Sequence, residues 1–378
     1  MNKKTLDLAQ ELIACPSITP LDAGCQALLT KRLQQVGFQI TDISKDPVKN
    51  FWARYGTNGP LLIFAGHTDV VDPGPRDAWH TDPFAPTIKN HKLIGRGAQD
   101  MKGPLAAMIV AAEQFVQDYP QFPGSIGFAV TSAEEGDDYM NGTPLIVEHL
   151  QNTQQKVDWC VIGEPSCNQH FGDCIKNGRR GSLHAVLTIR GIQGHVAYPQ
   201  LAENPIHKAL PALLALQQTQ WCDGGMYFPA TSMQIVHIQA GQMNINNVIP
   251  AELKARINWR YSAELTAEQI KQQVEKILNT WQLNYTVEWQ LSGEPFLTQA
   301  GSLTETLKNC INAITGRTPE LSTGGGTSDG RFLSKLGCQT IEFGTCNDSI
   351  HKVNEQVEIS ELEQLTEIYY RVLKELFY

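Results

Sequence analysis

The sequence predicts an α/β protein in two parts, a larger mixed α/β domain covered by helices on both faces and a smaller α+β domain inserted into it. Three observations carry this reading. Apolar runs of strand length alternate with helical patterns up to about residue 180. Beyond it, strands alternate apolar and polar positions in a β-α-β-β-α-β order, which is ferredoxin-like. From about residue 295 the first pattern returns. The expected partition is 1–179 and 294–378 for the larger domain and 180–293 for the insert.

The elements follow in order. The start, Met1–Leu8, carries the basic pair Lys3-Lys4, but Asp7, Gln10 and Glu11 break the apolar core that should follow, so the region reads as an amphipathic helix and not a leader. Leu61–Gly66 is a continuous apolar run, a strand buried on both faces. Residues 104–118 place Leu105, Met108, Ile109, Ala112, Phe115 and Val116 at helical spacing behind Pro104. Ile126–Thr131 and Trp159–Ile162 are again buried strands. In the insert, strands are expected over 181–191, 231–240, 251–260 and 283–290, with helices over 204–219 and 264–281. A last buried strand is Thr340–Phe343.

Composition narrows the function. At ~150 residues per domain, 378 residues suit two domains. With 30 Lys+Arg against 39 Asp+Glu the net charge is −9, which argues against holding nucleic acid or an anionic membrane by bulk electrostatics. No stretch approaches the ~20 apolar residues of a membrane span. The nine cysteines are scattered without a C-x-x-C pair, and Cys167 and Cys174 fit no metal knuckle. Reduced thiols in a cytoplasmic protein are expected.

The chemistry lies where strands end. His67 and Asp69 follow the Leu61–Gly66 run, and a carboxylate two residues on can hydrogen-bond the imidazole. Alone, such a triplet is more often a satisfied loop histidine. Asp100 sits in the glycine-rich stretch Gly95–Gly103, where a helix N-cap is the bland alternative. Glu134-Glu135 could be a solvated turn, yet adjacent residues on extended backbone point apart and can hold different jobs. Glu164 and His351 each lie just past a buried strand. Collectively the signal is stronger. Strands delivering His67, Glu134/Glu135, Glu164 and His351 to one sheet edge, with Asp100 from a loop, supply the donors for two divalent ions, zinc, cobalt or manganese. The charges also close: two ions bring +4, Asp100, Glu135 and Glu164 bring −3, and a hydroxide brings the last −1. That leaves Glu134 as general base and Asp69 as orienter, and favours hydrolysis.

These residues, with Gly163-Glu164-Pro165 and the order in which they occur, resemble the M20 family of dimetal amidohydrolases and peptidases. So do the segments Asn177–Ser182, Gly194–Pro199, Asn246–Pro250 and Gly325–Phe332, and the resemblance covers essentially the whole chain. It implies that Asp100 bridges two ions, most simply zinc, completed by His67 and Glu164 on one side and by Glu135 and His351 on the other. It implies that Glu134 takes the proton of the attacking water. It also implies a homodimer in which the insert serves as dimerisation and lid domain, and His195 reaches the partner's site as oxyanion donor. Arg179 and Arg260 become carboxylate clamps, and Ser182, Tyr198, Asn246, Gly326, Thr327 and Asn347 shape the same pocket. The expected substrate is a succinyl amide carrying three carboxylates. Family members that remove an acetyl group or cleave dipeptides are the alternative. A non-catalytic relative would be expected to lack Glu134 or Asp100, and both are present. Gly324–Gly326 lacks the Gly-Lys-Ser/Thr ending of a phosphate loop.

Overall fold

The computed structural model describes residues 2–378, which gather into two compact units. The first comprises residues up to Gly178 with Thr298–Ser322 and Ser328–Tyr378; the second comprises Arg179–Leu297 with Thr323–Thr327. Arg179, residues 294–297 and Thr323–Thr327 were expected in the larger domain. Arg179 and Thr323–Thr327 cluster with the second unit because Thr323 donates to the Tyr227 carbonyl (2.6 Å) and Arg179 donates to that of Gly324 (3.2 Å).

The first unit is built on a mixed eight-stranded sheet in the order Gln39–Asp42, Asn50–Tyr55, Ser125–Thr131, Leu61–His67, Trp159–Ile162, Gln339–Glu342, Cys174–Lys176, Glu320–Ser322. Side chains alternate across a strand, and both faces here are apolar. Leu62, Phe64, Phe128, Val130 and Val161 enter one core with the helices Asn2–Ile13, Lys102–Asp118, Ser302–Thr315 and Ile359–Phe377. Leu61, Ile63, Ala65, Ala129 and Ile162 enter a second core with Thr143–Asn152 and Gly330–Leu333. Each fully buried Leu or Phe contributes about 1.5–3 kcal/mol, so both faces of these strands hold the sheet in place.

Four neighbours in the middle of the sheet, Ser125–Thr131, Leu61–His67, Trp159–Ile162 and Gln339–Glu342, are mutually parallel. Their carboxyl ends therefore open on one edge, the place where open α/β sheets bind ligands. The Lys102–Asp118 helix starts two residues ahead of its expected start. Asp100 does not cap it: Met101 is the N-cap, and no side chain bonds there.

In the second unit the sheet order is Ser232–Ala240, Glu252–Tyr261, Gly181–Arg190, Tyr285–Gly293, all antiparallel. Leu183, Ala185, Leu187 and Ile189 pack with Ala255, Ile257 and Trp259 under Pro205–Gln218 and Ala267–Thr280. The helices start where the sequence caps them, Asn204 accepting the Ile206 N–H (2.9 Å) and Thr266 forming a reciprocal box with Gln269. Among the described residues no helix is long and apolar enough to cross a membrane.

Candidate metal centre

His67 ends the central strand with its imidazole almost wholly buried. Its Nδ1 lies 2.9 Å from the Asp69 carbonyl, which can only accept, so Nδ1 carries the proton. The Asp69 carboxylate stands 3.5 Å away and is engaged otherwise, accepting the backbone N–H of Glu134 (3.2 Å) and of Glu135 (3.0 Å). Asp69 thus orients His67 through its backbone and the acid pair through its side chain. The expected imidazole–carboxylate bond gives way because two N–H donors at the strand end need those oxygens more.

Nε2 of His67 faces Asp100 Oδ1 at 3.2 Å and Glu164 Oε1 at 3.6 Å. The other Asp100 oxygen, Oδ2, lies 3.5 Å from His351 Nε2, which is also 3.0 Å from Glu135 Oε1. One carboxylate therefore divides its two oxygens between two histidines, each with a second acid beside it. Glu134 joins the His67 and Glu164 side, where one donor atom from each lies within 4.8 Å of the others.

The electrostatics follow from burial. Burial and the nearby Glu164, Asp329 and Glu135 charges push Glu134 well above the usual carboxylate range. Burial and the Asp100 charge raise Glu164 to about 7. Asp100 resists its burial because bonds to His351 and His67 hold it well below the ordinary value. Bonds to Asp100 and Glu135 lift His351 to about 10. Burial works against a charged His67, yet bonds to Asp100 and Glu164 and the nearby Asp69 charge raise it well above its ordinary value. Protons held so tightly among carboxylates mark where a divalent ion would bind in their place, and imidazole with carboxylate suits one of the zinc type. The donor set fits two such ions, one on each side of Asp100.

Two glycines let the Asp100 loop sit this close. A Cβ on Gly66 would stand 2.3 Å from Met101 Cε, and one on Gly163 would stand 2.7 Å from the same atom. The loop's backbone is held by Glu355, a buried acid that the sequence reading missed. Its carboxylate accepts the N–H groups of Gly97 (2.9 Å), Gln99 (2.9 Å) and Asp100 (3.1 Å) and pairs with Arg96 (2.8 Å). Asp329 was missed as well; buried, it accepts from Thr143 Oγ1 at 2.6 Å and lies close enough to Glu134 to raise it. A single acid beside a short strand, or inside a Ser-Asp-Gly turn, has no spacing that sets it apart.

The sequence pattern of peptidase family M20/M25/M40 matches residues 63–375. The chain belongs to this family. It is 53% identical over 372 residues to the succinyl-diaminopimelate desuccinylase of Hahella chejuensis, covering 98% of this chain and 97% of that one. The enzyme of the same description from Acinetobacter baumannii (strain ACICU) is 52% identical, with 98% of both chains covered. Among solved structures, a tripeptidase from Staphylococcus aureus matches with a TM-score of 0.80 at 19% identity, over 100% of this chain and 98% of that one. A dinuclear metal-binding M20 peptidase from Bacillus subtilis matches at 0.72 and 14%, over 100% and 98%. These likenesses show the M20 fold, and with the family match they make the chain a metal-dependent amidohydrolase.

Asn347 lies in this M20 chain's first unit, on the loop that carries His351. The other expected pocket residues lie in the second unit. Ser182 and Arg260 are paired directly across the sheet and so share a face with His184 and Arg256. Burial and the charges of Arg260 and Arg256 push the His184 imidazole down, which marks that face as cationic. Arg179 is buried, with Nη1 held by the Gly324 and Gly326 carbonyls (3.2 and 3.5 Å). Thr327 follows in the same glycine turn. His195 is exposed, its ring 5.7 Å from that of Tyr198, and its Nδ1 accepts the Ala197 N–H at 3.0 Å. Asn246 is exposed in the turn before Val248–Ile249.

Proposed function

We propose that this chain hydrolyses N-succinyl-LL-2,6-diaminopimelate to succinate and LL-2,6-diaminopimelate, a step toward lysine. The observation that carries the reading is the 52–53% identity to desuccinylases over 98% of the chain, in a protein that gathers His67, Asp100, Glu135, Glu164 and His351. Zinc is the ion proposed. Two bound divalent ions supply Lewis acidity, lowering the pKa of water and polarising an amide carbonyl.

The chain's own residues supply the rest. His67, Asp100 and Glu164 would hold one ion, and Asp100, Glu135 and His351 would hold the other. Glu134, raised by burial, takes the proton of the attacking water and passes it to the departing amine nitrogen. Since the Ala197 N–H occupies Nδ1 of His195, Nε2 is the ring atom left to act as donor for the tetrahedral oxyanion. Arg179 and Arg260 receive substrate carboxylates, and Ser182, Tyr198, Asn246, Gly326, Thr327 and Asn347 shape the pocket. The insert, about residues 180–293, is proposed as the dimerisation domain of a cytoplasmic homodimer. Its Ser232–Ala240 strand is bonded along one side only, and Leu210, Leu214, Val236 and Ile238 are exposed on the strand and the Pro205–Gln218 helix.

The test is zinc-supplemented steady-state hydrolysis of N-succinyl-LL-2,6-diaminopimelate beside N-acetylornithine and a simple dipeptide. A preference in kcat/KM for the succinylated substrate is expected. Equal or better turnover of either rival overturns the substrate.

A further inference from the structure

Gln99 is 2% exposed and stands next to Asp100, yet it touches none of the metal-type donors among the described residues. Its side-chain amide crosses instead to the loop that carries His351. Nε2 donates to Asp348 Oδ1 at 2.7 Å; Oε1 accepts the Ser349 N–H at 2.9 Å and the Ser349 hydroxyl at 2.6 Å. Ser349 Oγ in turn takes the Gln356 N–H (3.0 Å), beside Glu355, whose carboxylate binds the Gln99 and Asp100 N–H groups. The two loops are thus closed into one hydrogen-bonded ring. Asp100 hangs from one side of it and His351 from the other, with Oδ2 and Nε2 3.5 Å apart.

We propose that Gln99 is a positioning residue that fixes His351 relative to Asp100, and so determines the affinity of the ion position shared by Asp100, Glu135 and His351. The other position, built on His67 at a strand end, does not depend on it. The inference rests on the dimetal reading above. His351 needs such a tether: it is half exposed, on a loop, with φ at +59°. A buried amide making three bonds to a loop holds it where the loop's own backbone does not.

The test is zinc binding by calorimetry to the chelated full chain. Wild type is expected to take two ions. Gln99→Ala is expected to keep one ion at wild-type affinity and lose about 10-fold or more in affinity for the other, the usual cost of removing a partner behind a ligand. Gln99→Glu alone sets two acids against each other and is expected to do the same. Combined with Asp348→Asn, which reverses donor and acceptor across the pair and leaves the net charge unchanged, it is expected to restore the weaker ion. That rescue separates positioning from a general loss of folding. Two ions bound to Gln99→Ala as in wild type, or an unrescued double variant, overturns the role of Gln99. Fewer than two ions on wild type overturns the dimetal reading and this inference with it.

Discussion

Glu134 and Asp100 show how differently neighbouring carboxylates can be tuned in one buried cluster. Asp100 bonds both histidines and is held low; Glu134 has no such bond, and burial with three neighbouring acids outweighs the His67 charge and pushes it high. The acid without a bonded partner is the one suited to accept a proton. Glu134→Gln keeps the shape and every metal-type ligand, so ion content measured by metal analysis should match wild type while kcat falls by about 10²–10⁴-fold. Retained turnover would rule out Glu134 as the base. The raised groups also set a pH dependence for the chelated protein. Glu164 at about 7 and His351 at about 10 both bind their protons more tightly folded than unfolded. Their stabilising contribution is complete below their ordinary values of 4.5 and 6.5 and is lost as pH rises through about 7 and about 10. Asp100, held low, acts only below this window. Thermal melts of the chelated protein should therefore give a lower Tm at about pH 9 than at about pH 6, with added zinc narrowing the gap. A Tm that does not fall with pH would show that the site's protons carry no such load.

At the scale of elements, what was legible is what repeats. Leu61–Gly66, Ile126–Thr131 and Trp159–Ile162 announce themselves because a strand covered on both faces must be apolar at every position. The insert's strands do so because one open face alternates, Leu183 and Ala185 inward, His184 and Val186 outward. The candidate donors His67, Glu135 and Glu164 were legible because each ends or closely follows such a strand, whereas Asp100 and His351 lie on loops and stood out only in company with them. Asn50–Tyr55 was not, since Arg54 interrupts its run; the guanidinium reaches the Gly56 carbonyl two residues on (3.0 Å) and, by tertiary packing, Ser125 Oγ (3.1 Å). Glu355 and Gln99 stayed hidden for the same reason, being polar residues satisfied across more than 240 positions of chain. Gly66 turns this into a prediction. It permits the strand to pass Met101, so Gly66→Ala should displace the Asp100 loop and weaken zinc binding by about 10-fold or more, with the sheet intact. Unchanged zinc affinity would mean that the loop finds room elsewhere.

At the scale of the molecule, the separation of work between the two units is the feature with most consequence. Every metal-type donor and the proposed base lie in the first unit, whereas His195 and the two arginines lie in the second. An oxyanion donor carried on a separate body can be lent to another chain, which is what the proposed homodimer requires. Two inactive chains should then repair one another. Glu134→Gln supplies a good His195, and His195→Ala supplies a good Glu134. If donation crosses between subunits, a mixed dimer has one intact site and one doubly defective site. Random exchange makes about half of the dimers mixed, so roughly a quarter of all sites should work. The measurement is desuccinylase activity after co-denaturing and refolding equal amounts of the two variants, against each refolded alone. Recovery toward that fraction is expected. No recovery, with dimers shown by sedimentation, would place the oxyanion donor within the same chain and remove the catalytic reason for dimerising.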